Sequence, residues 1–289
     1  MRLVSLQNSQ GQVRVAGVRD GRYIDLQAAD PEIPATMREL LKKGNNILAQ
    51  VARAIENGKP IPGTVTLLAP VPDPQKIFGI GLNFADHARE QGKEPPAEPV
   101  IFNKLPTCVR AHGNPIVLPK LSKEVDYEAE LVVIIGKRGK HISRAAAMSH
   151  VAGYACGNDV SARDWQARKP GGQWLLGKSF DSFAPFGPEL VTADEVGELP
   201  NLRIQSRIDG RVMQDSTLSQ LIFDVPYLLE YISGICTLEP GDVIFTGTPP
   251  GVGMARKPPV WLQPGQTVEV EIERLGTLSN PVIAEEGRV

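Results

Sequence analysis

The stretch Val125-Asp126-Tyr127-Glu128-Ala129-Glu130-Leu131-Val132-Val133-Ile134-Ile135-Gly136 decides how the chain is read. Its β-branched run and closing glycine predict a strand. Leu131 to Ile135 is apolar at every position, so both faces meet protein and the strand enters a core. Side chains alternate across a strand, which puts Glu128 and Glu130 on one side, with Asp126 just before them. Carboxylates gathered at the mouth of a core repel one another, and desolvation adds to the cost. A divalent cation relieves both penalties, so the pair reads as a metal site. Ordinary solvated glutamates are the alternative, and the chain supplies an example. In Val268-Glu269-Val270-Glu271-Ile272-Glu273 the glutamates are also two apart, but strict alternation predicts a half-solvated strand whose glutamates face water.

Around this strand the bulk properties are permissive. With 289 residues, 42% of them hydrophobic, the chain can bury one large domain, or one plus a small accessory. A net charge of -2 gives no electrostatic case for nucleic acid or an anionic membrane, and no basic cluster interleaves with aromatics. The opening Met1-Arg2-Leu3-Val4-Ser5-Leu6-Gln7 lacks the apolar stretch of a secretory signal, and no apolar run is long enough to span a bilayer. The cysteines Cys108, Cys156 and Cys236 are far apart and form no CxxC, so they read as core thiols of an intracellular protein. A soluble cytoplasmic protein is expected, with neither nucleic acid nor membrane as partner.

Residues 1–70 read as a small N-terminal α+β domain. Short strand patterns (2–7, 12–18, 23–26) precede a helical stretch over 36–56 that Gly44 interrupts. A proline-rich passage through Pro60, Pro70, Pro72 and Pro74 follows. Residues 71–289 are rich in short strands, with an Asp209-Gly210 hairpin turn and helices predicted after Ser143 and Asp224. Regular βαβ alternation is missing, which excludes a doubly wound parallel sheet. The expected class is α+β, mostly β.

Further constellations could carry chemistry. Asp159 follows a strand-like stretch, either as a third carboxylate or as a turn former and helix cap. Three carboxylates from two strands, without cysteine or histidine, suit Mg²⁺ or Mn²⁺ better than zinc. His87 and Glu90, three apart on a short helix, share a face, so the carboxylate can orient and charge the imidazole; a solvated surface pair is the alternative. The polar loop 91–99 that follows has the character of a lid. Gly172-Gln173-Trp174-Leu175-Leu176-Gly177-Lys178-Ser179 matches GxxxxGK[ST], but no strand precedes it and Trp-Leu-Leu fills its middle, so a phosphate loop is not expected. Gly79-Ile80-Gly81 lacks the third glycine of a dinucleotide fingerprint and reads as a strand end needing close backbone approach. Arg163, Arg168 and Lys169 hint at a second anionic group on a substrate; basic side chains that simply meet water are the alternative.

Taken in order, Gly81-Leu82-Asn83-Phe84-Ala85-Asp86-His87, Asp126-Tyr127-Glu128-Ala129-Glu130-Leu131, Asn158-Asp159-Val160-Ser161-Ala162-Arg163-Asp164, Gly177-Lys178-Ser179-Phe180-Asp181 and Gly241-Asp242-Val243-Ile244-Phe245-Thr246-Gly247-Thr248-Pro249 resemble the fumarylacetoacetate hydrolase superfamily, over roughly residues 71–289. Trp174 to Asp181 and Pro249 to Gly253 look closest to its domain-containing protein two branch and the bacterial relatives of that branch.

The resemblance implies a mixed β-sandwich roll, a homodimer, and one Mg²⁺ or Mn²⁺ on Glu128, Glu130 and Asp159. It implies His87 and Glu90 as a lid dyad and Lys178 as the catalytic lysine. Arg163 and Gln166 would line the pocket, and Thr248 would meet the substrate carboxylate. Phe84 stands where a tyrosine is common, so no hydroxyl role carries over there. The implied activity is hydrolysis of a C–C bond in a 2,4-dioxo acid of acylpyruvate or fumarylacetoacetate type. In it His87 activates a water, Lys178 neutralises the oxyanion, and the metal stabilises the departing enolate. The same site could instead serve as an oxaloacetate tautomerase or decarboxylase, or as a hydroxymuconate-type isomerase. A non-catalytic 2-oxo acid binding protein is a more distant alternative.

Overall fold

The strand Ala129–Ile135 is buried along its whole length. In the computed structural model, which describes residues 1–92 and 94–286, it lies near the middle of a mixed sheet. Among the described residues that sheet has 11 strands. From one edge its main path runs Arg22–Asp25, Val13–Arg19, Arg2–Gln7, Ala184–Thr192, Val151–Asn158, Ala129–Ile135, Val243–Phe245, Ile77–Gly81 and Val100–Lys104. Val243–Phe245 pairs in parallel with Ile77–Gly81, while Ala129–Ile135 is antiparallel to both its neighbours. A second sheet has five strands, in the order Arg211–Thr217, Arg203–Ile208, Thr267–Ile272, Gly276–Ala284 and Ile116–Leu118. A two-stranded ladder pairs Val125–Asp126 with Ser161–Ala162, and the whole is the mostly β architecture expected.

The continuous apolar run of 131–135 has a direct cause. Leu131, Val133 and Ile135 pack with Ile204, Val270, Ile272 and Leu278 of the second sheet and with Leu228, Leu229 and Ile232 of the helix Val225–Ile235. Val132 and Ile134 point the other way, into a cluster with Phe186 and Phe245. Glu130 shares the latter face by alternation. The contrasting strand Thr267–Ile272 alternates half-buried and buried positions, with Glu269 and Glu271 on the half-buried side.

Local signals hold well. Asp209 and Gly210 both take positive φ, 50° and 78°, and turn a two-residue hairpin between Arg203–Ile208 and Arg211–Thr217. The Asp224 side chain accepts from the Tyr227 amide and starts the helix Val225–Ile235. The helical stretch over 36–56 is divided into Met37–Lys42, a 3₁₀ turn Gly44–Ile47 and Leu48–Asn57. The first strand of the chain, Arg2–Gln7, pairs antiparallel with Ala184–Thr192, so the N-terminal strands extend the large sheet. The helix expected after Ser143 is a 3₁₀ segment, Arg144–His150, without a side-chain cap.

Candidate metal centre and active site

Glu128 stands at the break between the strands Val125–Asp126 and Ala129–Ile135, and Glu130 lies inside the latter. Asp159 follows the neighbouring strand Val151–Asn158. The Asp159 amide donates to the Glu128 carbonyl (2.9 Å), and the Glu128 amide donates to Asn158 Oδ1 (2.9 Å). These bonds bring the three carboxylates together: one oxygen from each lies within 4.8 Å of the others, and all three residues are buried. Asp126 turns elsewhere, accepting from the amides of Gly253 and Met254 and from Arg163.

Three cations surround the cluster. Lys178 Nζ donates to Glu128 Oε2 (2.8 Å) and Asp159 Oδ2 (2.7 Å). Arg163 bridges Glu128 Oε1 (2.6 Å) and Asp126 Oδ2 (2.8 Å), and its third arm holds Gln166 Oε1 (3.0 Å). Lys104, at the end of the strand Val100–Lys104, is buried and pairs with the other oxygen of Asp159. Burial alone would raise the Glu128 pKa, but Lys178 and Arg163 outweigh it and hold it down to about 2. Burial likewise opposes the Lys178 ammonium, yet Asp159 and Glu128 keep its pKa above the usual lysine value. Glu130 is pushed well above the carboxylate range by burial and by the charges of Asp159 and Glu128, although it accepts from the Gly247 amide (2.7 Å). A divalent cation would relieve that repulsion. Hard oxygen donors without sulfur or nitrogen fit Mg²⁺ or Mn²⁺.

The cluster opens into a pocket of about 190 Å³ whose wall includes His87, Gln91, Glu128, Glu130, Arg163, Gln166, Lys178 and Thr248. Its remaining surface is largely apolar, with Ile80, Leu82, Phe102, Ala167, Trp174 and Met254. His87 is buried on the helix Ala85–Glu90, and its Nδ1 meets Glu90 Oε2 at 2.9 Å. Glu90 itself lies behind the imidazole and accepts from the Gly251 amide (2.9 Å). Asn83 anchors the start of this helix, donating to the carbonyls of Thr246 (2.7 Å) and Phe223 (3.1 Å) and accepting from the Phe223 amide (2.8 Å). Of the lid loop 91–99, Lys93 lies outside the described residues.

The GxxxxGKS segment is no phosphate loop. Trp174–Lys178 is a short helix that aims Lys178 at the carboxylates, and a Cβ on Gly177 would sit 2.6 Å from the Gln166 backbone nitrogen. The second glycine of Gly79-Ile80-Gly81 serves similarly, since a Cβ on Gly81 would lie 2.4 Å from the Trp174 ring. Arg168 pairs with Glu124 and Lys169 lies over the Trp165 ring, and neither lines the pocket. Two buried contributors escaped the sequence reading. Lys104 had no local signal. Gln214 donates to Thr248 Oγ1 (2.7 Å) and to the Pro249 carbonyl (2.8 Å), leaving the threonine hydroxyl proton free to face the pocket.

Residues 76–283 match the family model for the fumarylacetoacetate (FAA) hydrolase C-terminal domain. The chain belongs to the fumarylacetoacetate hydrolase family. It is 46% identical over 288 residues to the mitochondrial oxaloacetate tautomerase fahd2 of Xenopus laevis, covering 98% of this chain and 90% of that one. Among solved structures it resembles a fumarylacetoacetate hydrolase from Exiguobacterium antarcticum (TM-score 0.87, 34% identity, 99% of this chain and 100% of that one). It also resembles a maleylpyruvate hydrolase from Sphingobium sp. SYK-6 in complex with manganese(II) ion and pyruvate (TM-score 0.83, 28% identity, again 99% and 100%). The tautomerase alternative is therefore better supported than the C–C hydrolase put first from sequence. The cytoplasmic expectation gains nothing from a relative named mitochondrial. No described helix is long and apolar enough to cross a membrane.

Proposed function

We propose that this family member is a metal-dependent oxaloacetate tautomerase, interconverting the keto and enol forms of a small 2-oxo acid. The observation that carries the reading is one small pocket walled by both a carboxylate cluster and a carboxylate-backed imidazole. Its volume of about 190 Å³ is below the ~300–1,000 Å³ usual for drug-sized ligands, which favours a small acid. The relationship to a named oxaloacetate tautomerase over nearly the whole chain supports the substrate.

Glu128, Glu130 and Asp159 would hold Mg²⁺ or Mn²⁺, which when bound would supply Lewis-acid stabilisation of negative charge on the 2-oxo oxygen. Glu90 accepts the Nδ1 proton of His87, so the lone pair lies on Nε2. That nitrogen takes the C3 proton, and Glu90 stabilises the imidazolium. Return of the proton to oxygen gives the enol, and its return to C3 gives the keto acid. Lys178, fixed by Glu128 and Asp159, adds positive charge beside the forming enolate. Thr248 offers its hydroxyl proton to the substrate carboxylate, and Arg163 holds Glu128 and Gln166 in place. The chain is further proposed to be a homodimer with an accessory unit over residues 1–70, assignments that sedimentation and limited proteolysis address.

Hydrolysis of an acylpyruvate is the second reading, favoured by the hydrolase names of the structural relatives. It would use the same imidazole to deprotonate a water. The test follows the ultraviolet absorbance of enol-oxaloacetate and, separately, of acetylpyruvate, each with Mg²⁺ and with excess chelator, assaying pyruvate in each mixture. Metal-dependent decay of enol-oxaloacetate without pyruvate is expected. Pyruvate from acetylpyruvate would install the hydrolase, and pyruvate from oxaloacetate a decarboxylase.

A further inference from the structure

The base of the proposed reaction is covered. Gln91 follows the helix Ala85–Glu90, and its side-chain Nε2 lies 2.7 Å from His87 Nε2. With Nδ1 donating to the Glu90 carboxylate, neutral His87 has only a lone pair at Nε2, so the Gln91 amide is the donor. The amide therefore occupies the place from which a substrate C3 would be deprotonated. A bound substrate must displace it, and the displaced amide of this half-buried residue then turns to water or to an acceptor on the substrate.

We propose that Gln91 is the specificity-determining donor for the distal carboxylate of a dicarboxylic 2-oxo acid, moving from His87 Nε2 to that carboxylate on binding. The inference deepens the tautomerase reading and rests on it. The geometry follows from connectivity, because in oxaloacetate C4 is bonded to C3, the atom that must reach His87 Nε2. A donor already touching Nε2 thus lies next to the C4 carboxylate. Arg163 and Lys178 are paired with carboxylates, and Gln166, whose oxygen accepts from Arg163, is held beside the guanidinium that binds Glu128 rather than against His87. Arg168 and Lys169 do not line the pocket. An acid without a distal carboxylate would leave the displaced amide to water instead of a charged acceptor, so one residue both shields the base and favours dicarboxylates.

The test compares two substrates that share a head group. Enol-oxaloacetate turnover is followed by absorbance, and Mg²⁺-dependent exchange of the pyruvate methyl protons with D₂O by nuclear magnetic resonance. Gln91→Ala should lower the oxaloacetate-to-pyruvate ratio of kcat/KM about tenfold, the effect of one hydrogen bond to a charged group. Gln91→Glu, which sets like charges together, should lower it further. Calorimetric binding of oxalate with Mg²⁺ confirms that the variants fold, since oxalate has no distal group. An unchanged ratio in active variants overturns the role of Gln91 and leaves the tautomerase standing. Equal loss on both substrates also overturns it, reducing Gln91 to a support for His87. A wild-type protein inactive on both removes the tautomerase reading and the inference with it.

Discussion

Lys104 and Lys178 are both buried, and both end on Asp159, but they serve it differently. Lys178 faces the pocket and also binds Glu128, whereas Lys104 approaches Asp159 from the protein side and does not line the pocket. Replacing Lys104 with Met should leave Asp159 with one cation fewer in a buried place. The expected cost is ~3–5 kcal/mol, read as a lower urea midpoint. Lys178→Met should instead lower kcat by about 10²–10³-fold, as for loss of a group aimed at developing charge, while Mg²⁺ binding measured by calorimetry persists. Glu128→Ala should lose both metal binding and turnover. A Lys178 variant turning over normally would remove that residue from the chemistry. These two lysines also mark how much of the site was legible. Glu128 and Glu130 were readable because charge breaks into an apolar strand, a local event. Lys104 and Gln214 were not, because each owes its position to a partner 55 and 34 residues away along the chain.

At the scale of elements, three short helices, Ala85–Glu90, Arg163–Arg168 and Trp174–Lys178, meet strand residues at the pocket wall, and glycine sets how close they come. Gly81 ends the strand Ile77–Gly81 where the Trp174 ring passes, and Gly177 lets the helix Trp174–Lys178 press on Gln166. Gly81→Ala would push the indole, whose ring packs against Phe102 with centroids 5.3 Å apart. The expected penalty is ~1–3 kcal/mol, with KM affected more than kcat because the apolar wall moves while the base stays. A fluorescence shift of the tryptophan together with an unchanged kcat would match this. The sequence pattern was informative about such glycines only as punctuation. That Gly177 belongs to no phosphate loop was arguable from its Trp-Leu-Leu neighbours; that it lies on a helix, and which surface it approaches, was not, since the contact depends on Gln166 arriving from a different helix. The hairpin at Asp209-Gly210 and the cap at Asp224 were legible for the opposite reason: their determinants lie within four residues.

Across the whole molecule the large sheet couples the site to global stability, because its central strands hold or adjoin the carboxylates and a thiol buried within it, Cys156, reports when it opens. Cys108 and Cys156 are buried, and burial pushes their pKa values up to about 11 and about 12, so neither offers thiolate at neutral pH. Cys236 is half-buried. A thiol reagent should therefore label Cys236 rapidly in the native protein and reach Cys108 and Cys156 only through unfolding. Cys156 lies on the strand Val151–Asn158, which leads directly into Asp159, so its opening dissolves the metal site. A ligand that binds only the folded state stabilises it by RT ln(1 + [L]/Kd), about 2.7 kcal/mol at a hundredfold excess over Kd. At that Mg²⁺ concentration the labelling of Cys156 should slow about a hundredfold where reclosing outpaces reaction, chelator should restore the rate, and Glu128→Ala should abolish the difference. Labelling of Cys156 indifferent to Mg²⁺ in the wild-type protein would mean that the three carboxylates hold no divalent cation, whatever the enzyme turns over.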